Sequence, residues 1–205
     1  MYDDSTTTTS HSSPGGQQVV VVVVDDPHIT VTLPVLKYGY RTTPASWDEL
    51  VQILHVERDI PRLSRSVQQQ REYEVFRHYM REQFVSSLDY ILISKFGVEA
   101  IEETASPGST ARPKWKSKYS LADMKTSITK LIPNDFPYFH EDGIEHYIYW
   151  KTKDPVTDQE IDQVKKELRQ TYKAVDILFW VNPPVLKSIP EIDHVHFLFR
   201  REVQK

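Results

Sequence analysis

Cysteine is absent from the 205 residues. Its absence removes disulfides, thiolate nucleophiles and cysteine-ligated metals together, so any stability must come from packing. Also absent is an apolar run of the length that spans a bilayer, and the first residues lack the basic, apolar and small-residue succession of a secretory signal. These two absences lead us to expect a soluble intracellular protein with no membrane partner. No basic excess is present either. The formal net charge is -4, which gives no reason to expect nucleic acid as the main partner. No internal repeat is visible.

What remains is the composition of a folded chain. Hydrophobic residues make up 39% and aromatics 11%, enough for one domain with a full core. The first 18 residues are rich in Ser and Thr and nearly free of apolar side chains, so they cannot repay the entropy of ordering, and a mobile tail is expected there. Residues 19–45 form a β-prone arm. It opens with the valine run from Val19 to Val24, which is either a buried strand or an aggregation hazard, and continues with Ile29 to Leu33, a short strand fenced by Pro27 and Pro34. A single α+β domain is expected over 46–205.

Within that domain Ser46 with Glu49 has capping-box spacing, and a short helix follows that must stop before Pro61. From about Ser64 to Phe96 there is neither Pro nor Gly. Val75, Phe76, Tyr79, Met80, Phe84, Leu88, Ile91 and Leu92 recur at threes and fours, which predicts a long amphipathic helix broken at most once. Residues 102–118 read as a Pro-, Gly- and Ser-containing loop, with Lys114, Lys116 and Lys118 flanking Trp115. Ser120 and Asp123 resemble another helix start, leading to Leu131 and Ile132. Asn134, Asp135 and two prolines make a compact turn. Ile144 to Lys151 then alternates as a strand. Thr157 with Glu160 opens a helix carrying Ile161, Val164 and Leu168 on one face. Asp176 to Val181 and Asp193 to Arg201 complete the set. The expected architecture is amino-terminal helices packed on a mainly antiparallel sheet of the last three strands, with the helix from Asp158 across it.

The final strand, reading DHVHFLFRR, is where chemistry is most concentrated. Side chains two apart on a strand share a face, so His194 and His196 stand beside Leu198 and Arg200 while Val195, Phe197 and Phe199 face away. Neutral imidazoles near an arginine suit phosphate chemistry, one as nucleophile or proton carrier and the other as anion clamp. The same alternation also describes an edge or half-solvated strand whose outer face happens to carry histidines. His140, Glu141, Asp142, Glu145 and His146 include metal-ligand types, but their spacing fits no rigid zinc template, and neither a metal nor a cofactor is expected.

The segments SWDELVQIL from Ser46, LSRSVQQQREYEVF from Leu63, LIPNDFPYF from Leu131, GIEHYIYW from Gly143 and WVNPPVLKSIPEIDHVHFLFR from Trp180 resemble the fungal N-acetylglucosamine-induced protein family. The family is built on a domain of unknown function, and the resemblance covers about Ser46 to Arg201. It implies a cytoplasmic protein linked by name to amino-sugar response and supplies no reaction. The succession of NDFPY, a strand with His146, a helix, a strand reaching Asn182, and HVH with a later arginine is also similar to the histidine-triad superfamily of nucleotide hydrolases and transferases. That resemblance implies a nucleotide or nucleotide-sugar ligand, catalytic roles for His194 and His196, and binding roles for His146, Asn182, Ser188, Arg200, Asn134 and Asp135.

The match departs from a triad in having two histidines. With His194 and His196 in the second and third places, Ile192 holds the first and His194 is the nucleophile. With them in the first and second, Leu198 holds the third and His196 attacks. A non-enzymatic regulatory protein, presenting the long helix and the aromatic strand to a partner, is the alternative function. Oligomeric state has no signature in the sequence.

Overall fold

The computed structural model describes residues 9–12, 18–23, 30–103 and 112–202, with side chains from residue 31 onward in these ranges. In chain order the elements are strands β1 (Thr9–Ser12), β2 (Gln18–Val23) and β3 (Thr30–Thr32), helix α1 (Trp47–Val51) continued by a π-helical turn (Gln52–Glu57), and a 3-10 turn (Ile60–Arg62). Helices α2 (Val67–Gln83) and α3 (Ser87–Ser94) follow, then strands β4 (Ala100–Glu103), β5 (Lys114–Ser117), β6 (Thr129–Pro133) and β7 (Ile144–Lys151). Helix α4 (Asp158–Thr171), strand β8 (Ala174–Trp180), a 3-10 turn (Pro184–Leu186) and strand β9 (Asp193–Arg201) close the chain. Among the described residues no helix is long and apolar enough to cross a membrane.

The α+β class is as the sequence predicts. A four-stranded antiparallel sheet has the order β6-β7-β9-β8. The histidine strand β9 therefore lies inside the sheet, paired on both sides, and the edge-strand alternative fails. One face carries Tyr147, Tyr149, Val195, Phe197 and Phe199 and is covered by Ile161, Val164 and Leu168 of α4. The helix is started by the predicted box: the Thr157 hydroxyl accepts from the Glu160 amide while the Glu160 carboxylate accepts from the Thr157 amide. Phe197 and Phe199 have no exposed surface, and each buried ring contributes roughly 1.5–3 kcal/mol.

The opposite face is covered in two patches. Leu50, Ile53 and Leu54, on α1 and its π continuation, pack on Ile144, Leu178, Trp180 and Leu198 at one end. Ile91 of α3 packs with Ile148, Trp150 and Ile192 at the other. Between these patches stand the histidines, on a face that is buried instead of open to solvent.

Two expectations change, and the single break allowed in the long helix is found. The helix expected after Ser120 is not formed. Asp123 does close a turn on Ser120, but the chain then runs into β6, because Leu131 and Ile132 are held by antiparallel pairing to Tyr149 and Ile148. The loop expected over 102–118 contains the β4-β5 hairpin, with residues 104–111 outside the described residues. Its Ser117 amide donates to the Asp89 carboxylate, which ties the hairpin to the start of α3. The long helix is broken once, at Phe84, whose extended backbone ends α2 before Ser86 caps α3. Of the expected tail, Thr9–Ser12 is described, as β1, and Gln18 opens β2. Most of the valine run is β2, which pairs with β1 and β3.

Candidate functional site

Register on the buried face fixes the site. His196 pairs with Ile148 on one side and Trp180 on the other, His194 pairs with Trp150, and His146 sits opposite Leu198. Cross-strand neighbours project to the same side, so three imidazoles from two strands meet under α2 and α3. His146 Nε2 and His196 Nδ1 are 3.1 Å apart. The indole of Trp180 lies flat on His196, with centroids at 4.8 Å and planes 8° apart. Tyr138 stacks on His146 at 5.6 Å.

Two asparagines close the row. Asn182, just past β8, accepts from the Trp180 indole N–H at 3.0 Å, and its amide nitrogen contacts His196 Nε2 at 3.1 Å. Asn134, in the turn after β6, accepts from the Phe136 amide at 3.1 Å and turns its amide nitrogen to the His146 ring, 3.2 Å from Nδ1 and 3.4 Å from Nε2. Burial pushes both imidazoles well below the ordinary histidine pKa, and each neighbouring histidine lowers it further, so both rings are neutral near pH 7.

His194 is held differently. Its Nδ1–H donates to the Ile192 carbonyl at 3.1 Å, and Trp150 packs against the ring at 4.5 Å. Burial lowers its pKa as well. The backbone bond fixes the tautomer and leaves a lone pair on Nε2, the arrangement that makes an imidazole a nucleophile or a general base. No described residue bonds that nitrogen, and His194 and His196 both line a cavity of about 710 Å³.

The cavity wall is basic. Arg65, Arg77, Arg81, Lys95 and Lys187 reach it against the single carboxylate of Asp135. Arg65 grips the Asn134 turn, donating to the Phe136 carbonyl from Nη2 at 2.7 Å and from Nε at 3.2 Å, while its plane lies over the Tyr73 ring. Lys95 pairs with Asp135 and Lys187 with Asp193. The Arg81 guanidinium has no ion-pair partner among the described residues. Tyr73, Phe76, Tyr90 and Phe136 supply aromatic surface.

Of the residues expected from the sequence, His194, His196, Asn182, Asn134, Asp135 and Ser188 line this cavity, and His146 stands behind His196. Arg200 does not join them. Leu198 separates it from His196, and its guanidinium pairs with Asp176 at 2.7 Å and lies over Trp47 on the exposed end of β9. Neither candidate for a missing third histidine reaches the site, since Ile192 and Leu198 are both core residues. The third imidazole comes from the neighbouring strand, as His146. Sequence reasoning missed Arg65 and the other wall cations. Arg65 lies just before the Ser66 cap of α2, Arg77 and Arg81 stand on α2, Lys95 follows the end of α3 and Lys187 lies in the loop before β9, and nothing in the local pattern marks them. Among the described residues no group of three His, Asp or Glu side chains is placed to hold a metal ion.

The fold and cavity define an α+β protein with a buried histidine cluster under a basic pocket. The chain belongs to the family described as "Protein of unknown function (DUF3605)", whose model matches residues 46–200. No curated protein matches it. A solved structure described as "Crystal Structure of HTC1" is similar with a TM-score of 0.49 and 18% identity, over 76% of this chain and 85% of that one. Neither match names a histidine-triad protein.

Proposed function

We propose that the cavity binds a small phosphate-bearing ligand, a nucleotide or nucleotide sugar, against His194. One observation carries this reading: a cavity of about 710 Å³, large enough for a nucleotide, whose wall has five cations and one carboxylate and includes His194, whose Nε2 has no hydrogen-bond partner among the described residues. The aromatic side chains supply stacking surface for a base or sugar ring. The resemblance to the N-acetylglucosamine-induced family favours a nucleotide sugar within this class, and a cytoplasmic setting. If the ligand is turned over, Nε2 of His194 forms a bond to phosphorus as the bond to the leaving oxygen breaks, and water then releases the phosphoryl group from nitrogen. His196 is unsuited to attack, because both of its ring nitrogens face partners inside the protein.

A second reading, ligand sensing without turnover, is favoured by the places of Ile192 and Leu198 in the core, which leave His194 without a flanking imidazole on its own strand. One assay separates the two. The protein is incubated with a panel of nucleotides and nucleotide sugars, with binding read by calorimetry and products by chromatography. Turnover abolished by His194→Ala supports catalysis, and binding without product supports sensing. No binding by any member of the panel contradicts both.

A further inference from the structure

The cations of the cavity wall differ in where their counter-charges lie. Lys95 pairs with Asp135, and both line the cavity, so that pair is neutral toward it. Arg65 spends its guanidinium on the Phe136 carbonyl and the Gln70 side chain. The other three are different. Arg77 pairs with Glu74 and Lys187 with Asp193, yet neither carboxylate is among the lining residues. Glu74 is buried and bonded to Gln70, while Asp193 lines a second, smaller pocket and also accepts from the Val156 amide. Arg81 has no ion-pair partner among the described residues. The cavity therefore meets three positive charges whose balancing charges, where present, stand behind its wall.

These charges fall into two groups at different depths. Lys187 is the inner one, with a side chain only 16% exposed. Its ammonium gives one N–H to Asp193 at 2.7 Å, and no other described residue accepts from the rest. It also lies near His194, whose pKa is lowered by burial and then further by the Lys187 charge. Arg77 and Arg81 are the outer group, the first 43% exposed and the second exposed as a residue. Glu74 engages only Nη1 of Arg77, which leaves Nη2 and Nε without a bond among the described residues.

The two arginines stand four residues apart on α2, which sets them one above the other on one helix face. Like charges so placed destabilise a helix. The negative end of the helix dipole favours one cation in the last turn, which accounts for Arg81. It does not account for a second arginine beside it, lining the same cavity. An anion held between the two guanidinium groups removes the repulsion and uses their free N–H donors.

We propose that the cavity takes a ligand with two phosphate groups, one held beside His194 by Lys187 and the other at the cavity mouth between Arg77 and Arg81. This rests on the cavity being the phosphate site inferred above, and it narrows the ligand class. A molecule with one phosphate fills one subsite and leaves the other empty. The two phosphates can be adjacent, as in a nucleoside diphosphate or a nucleoside diphosphate sugar, or stand at two ends of a sugar, as in a hexose bisphosphate. Both sources share the paired anionic groups that the two sets of cations recognise.

The test is a calorimetric titration of the full chain with inorganic phosphate, pyrophosphate, uridine and adenosine mono- and diphosphates, glucose 6-phosphate and glucose 1,6-bisphosphate. The His194 side-chain nitrogens are followed in parallel as the reporter of the inner subsite. At least one two-phosphate probe is expected to bind about tenfold or more tighter than its one-phosphate counterpart. Arg81→Gln should remove most of that preference and Arg81→Glu all of it, while the His194 shift caused by inorganic phosphate keeps its midpoint within about twofold. Arg81 has no ion pair to strand, so both variants should melt with the wild type. Lys187→Gln should weaken every probe, inorganic phosphate at His194 included.

Equal affinity within every one- and two-phosphate pair overturns the proposal, and so does a preference that both Arg81 variants keep. Tighter binding of pyrophosphate and nucleoside diphosphates assigns adjacent phosphates, and tighter binding of the hexose bisphosphate assigns separated ones. Nucleoside mono- and diphosphates that bind alike, with no bisphosphate preference, sink this inference alone. Bisphosphate binding with no nucleotide bound sinks the nucleotide assignment alone, and no binding by any probe overturns both.

Discussion

His146 and His196, fifty positions apart in the chain, lie with Nε2 and Nδ1 at 3.1 Å on adjacent strands of one sheet face. Both rings are buried, and the polar side chains in contact with their nitrogens are two asparagines. Contact between neutral imidazoles in such a setting makes the row sensitive to any change that adds a proton or removes a partner.

The first prediction concerns pH. The three histidines of the cluster have folded-state pKa values below the ordinary 6.5, with burial as the leading cause. Below that value the unfolded chain takes up protons that the folded protein refuses, so stability is complete above about pH 6.5 and falls as pH drops through the range beneath it. Urea midpoints measured from neutral to mildly acid pH should decline, and His146→Gln should flatten the slope. An unchanged slope in that variant would count against a buried neutral His146.

Removing a row partner should be costly even when the branching of the side chain is kept. Asn182→Leu takes the acceptor from the Trp180 indole and the donor from His196 at once. A loss of about 1–3 kcal/mol per stranded group is expected in denaturant unfolding. A loss near zero would mean that water already serves these groups.

Arg65→Lys should behave more like Arg65→Ala than like the wild type. The guanidinium makes two bonds to one carbonyl and stacks on Tyr73, and an ammonium can do neither in the same way. Thermal melts and ligand titrations of the two variants should fall together, and full rescue by lysine would contradict the role assigned to the planar group.

Arg200→Ala provides the contrast. Its pair with Asp176 is exposed, so roughly 0.2–1 kcal/mol of stability is at stake, and anion affinity should not change. Phe197→Ala, on the same strand and fully buried, should cost roughly 3–5 kcal/mol.

Much of this molecule was legible before the structure. Capping residues Ser46 and Thr157 and period-two alternation from His146 to Trp150 and from His194 to Leu198 are local signals, and the elements they announce are present, whereas the Ser66 box that starts α2 was not read from the sequence. What failed was non-local. Leu131 and Ile132 suit a helix or a strand equally, and pairing to β7 decides for the strand. The alternation of β9 could not reveal that both of its faces are covered, because the covering helices come from distant sequence. For the same reason His194, His196 and Asn182 were identifiable as a group, while Arg65, whose importance lies in gripping a turn 71 residues away, was not. Arg200 misled because its alternation puts it on the correct face, but at the wrong end of the strand.

The claim at the centre of this account is that a phosphate-bearing ligand sits against His194. Its most direct test is a titration of the labelled protein with nucleotides and nucleotide sugars, following the side-chain nitrogens of His194 and of the exposed His55 as an internal control. The account predicts a saturable shift of His194 Nε2 with at least one ligand, weakened about tenfold or more by Arg81→Ala, a change of about 1.4 kcal/mol, while His55 stays still. A His194 resonance unmoved by every ligand, or moved no more than that of His55, would contradict it.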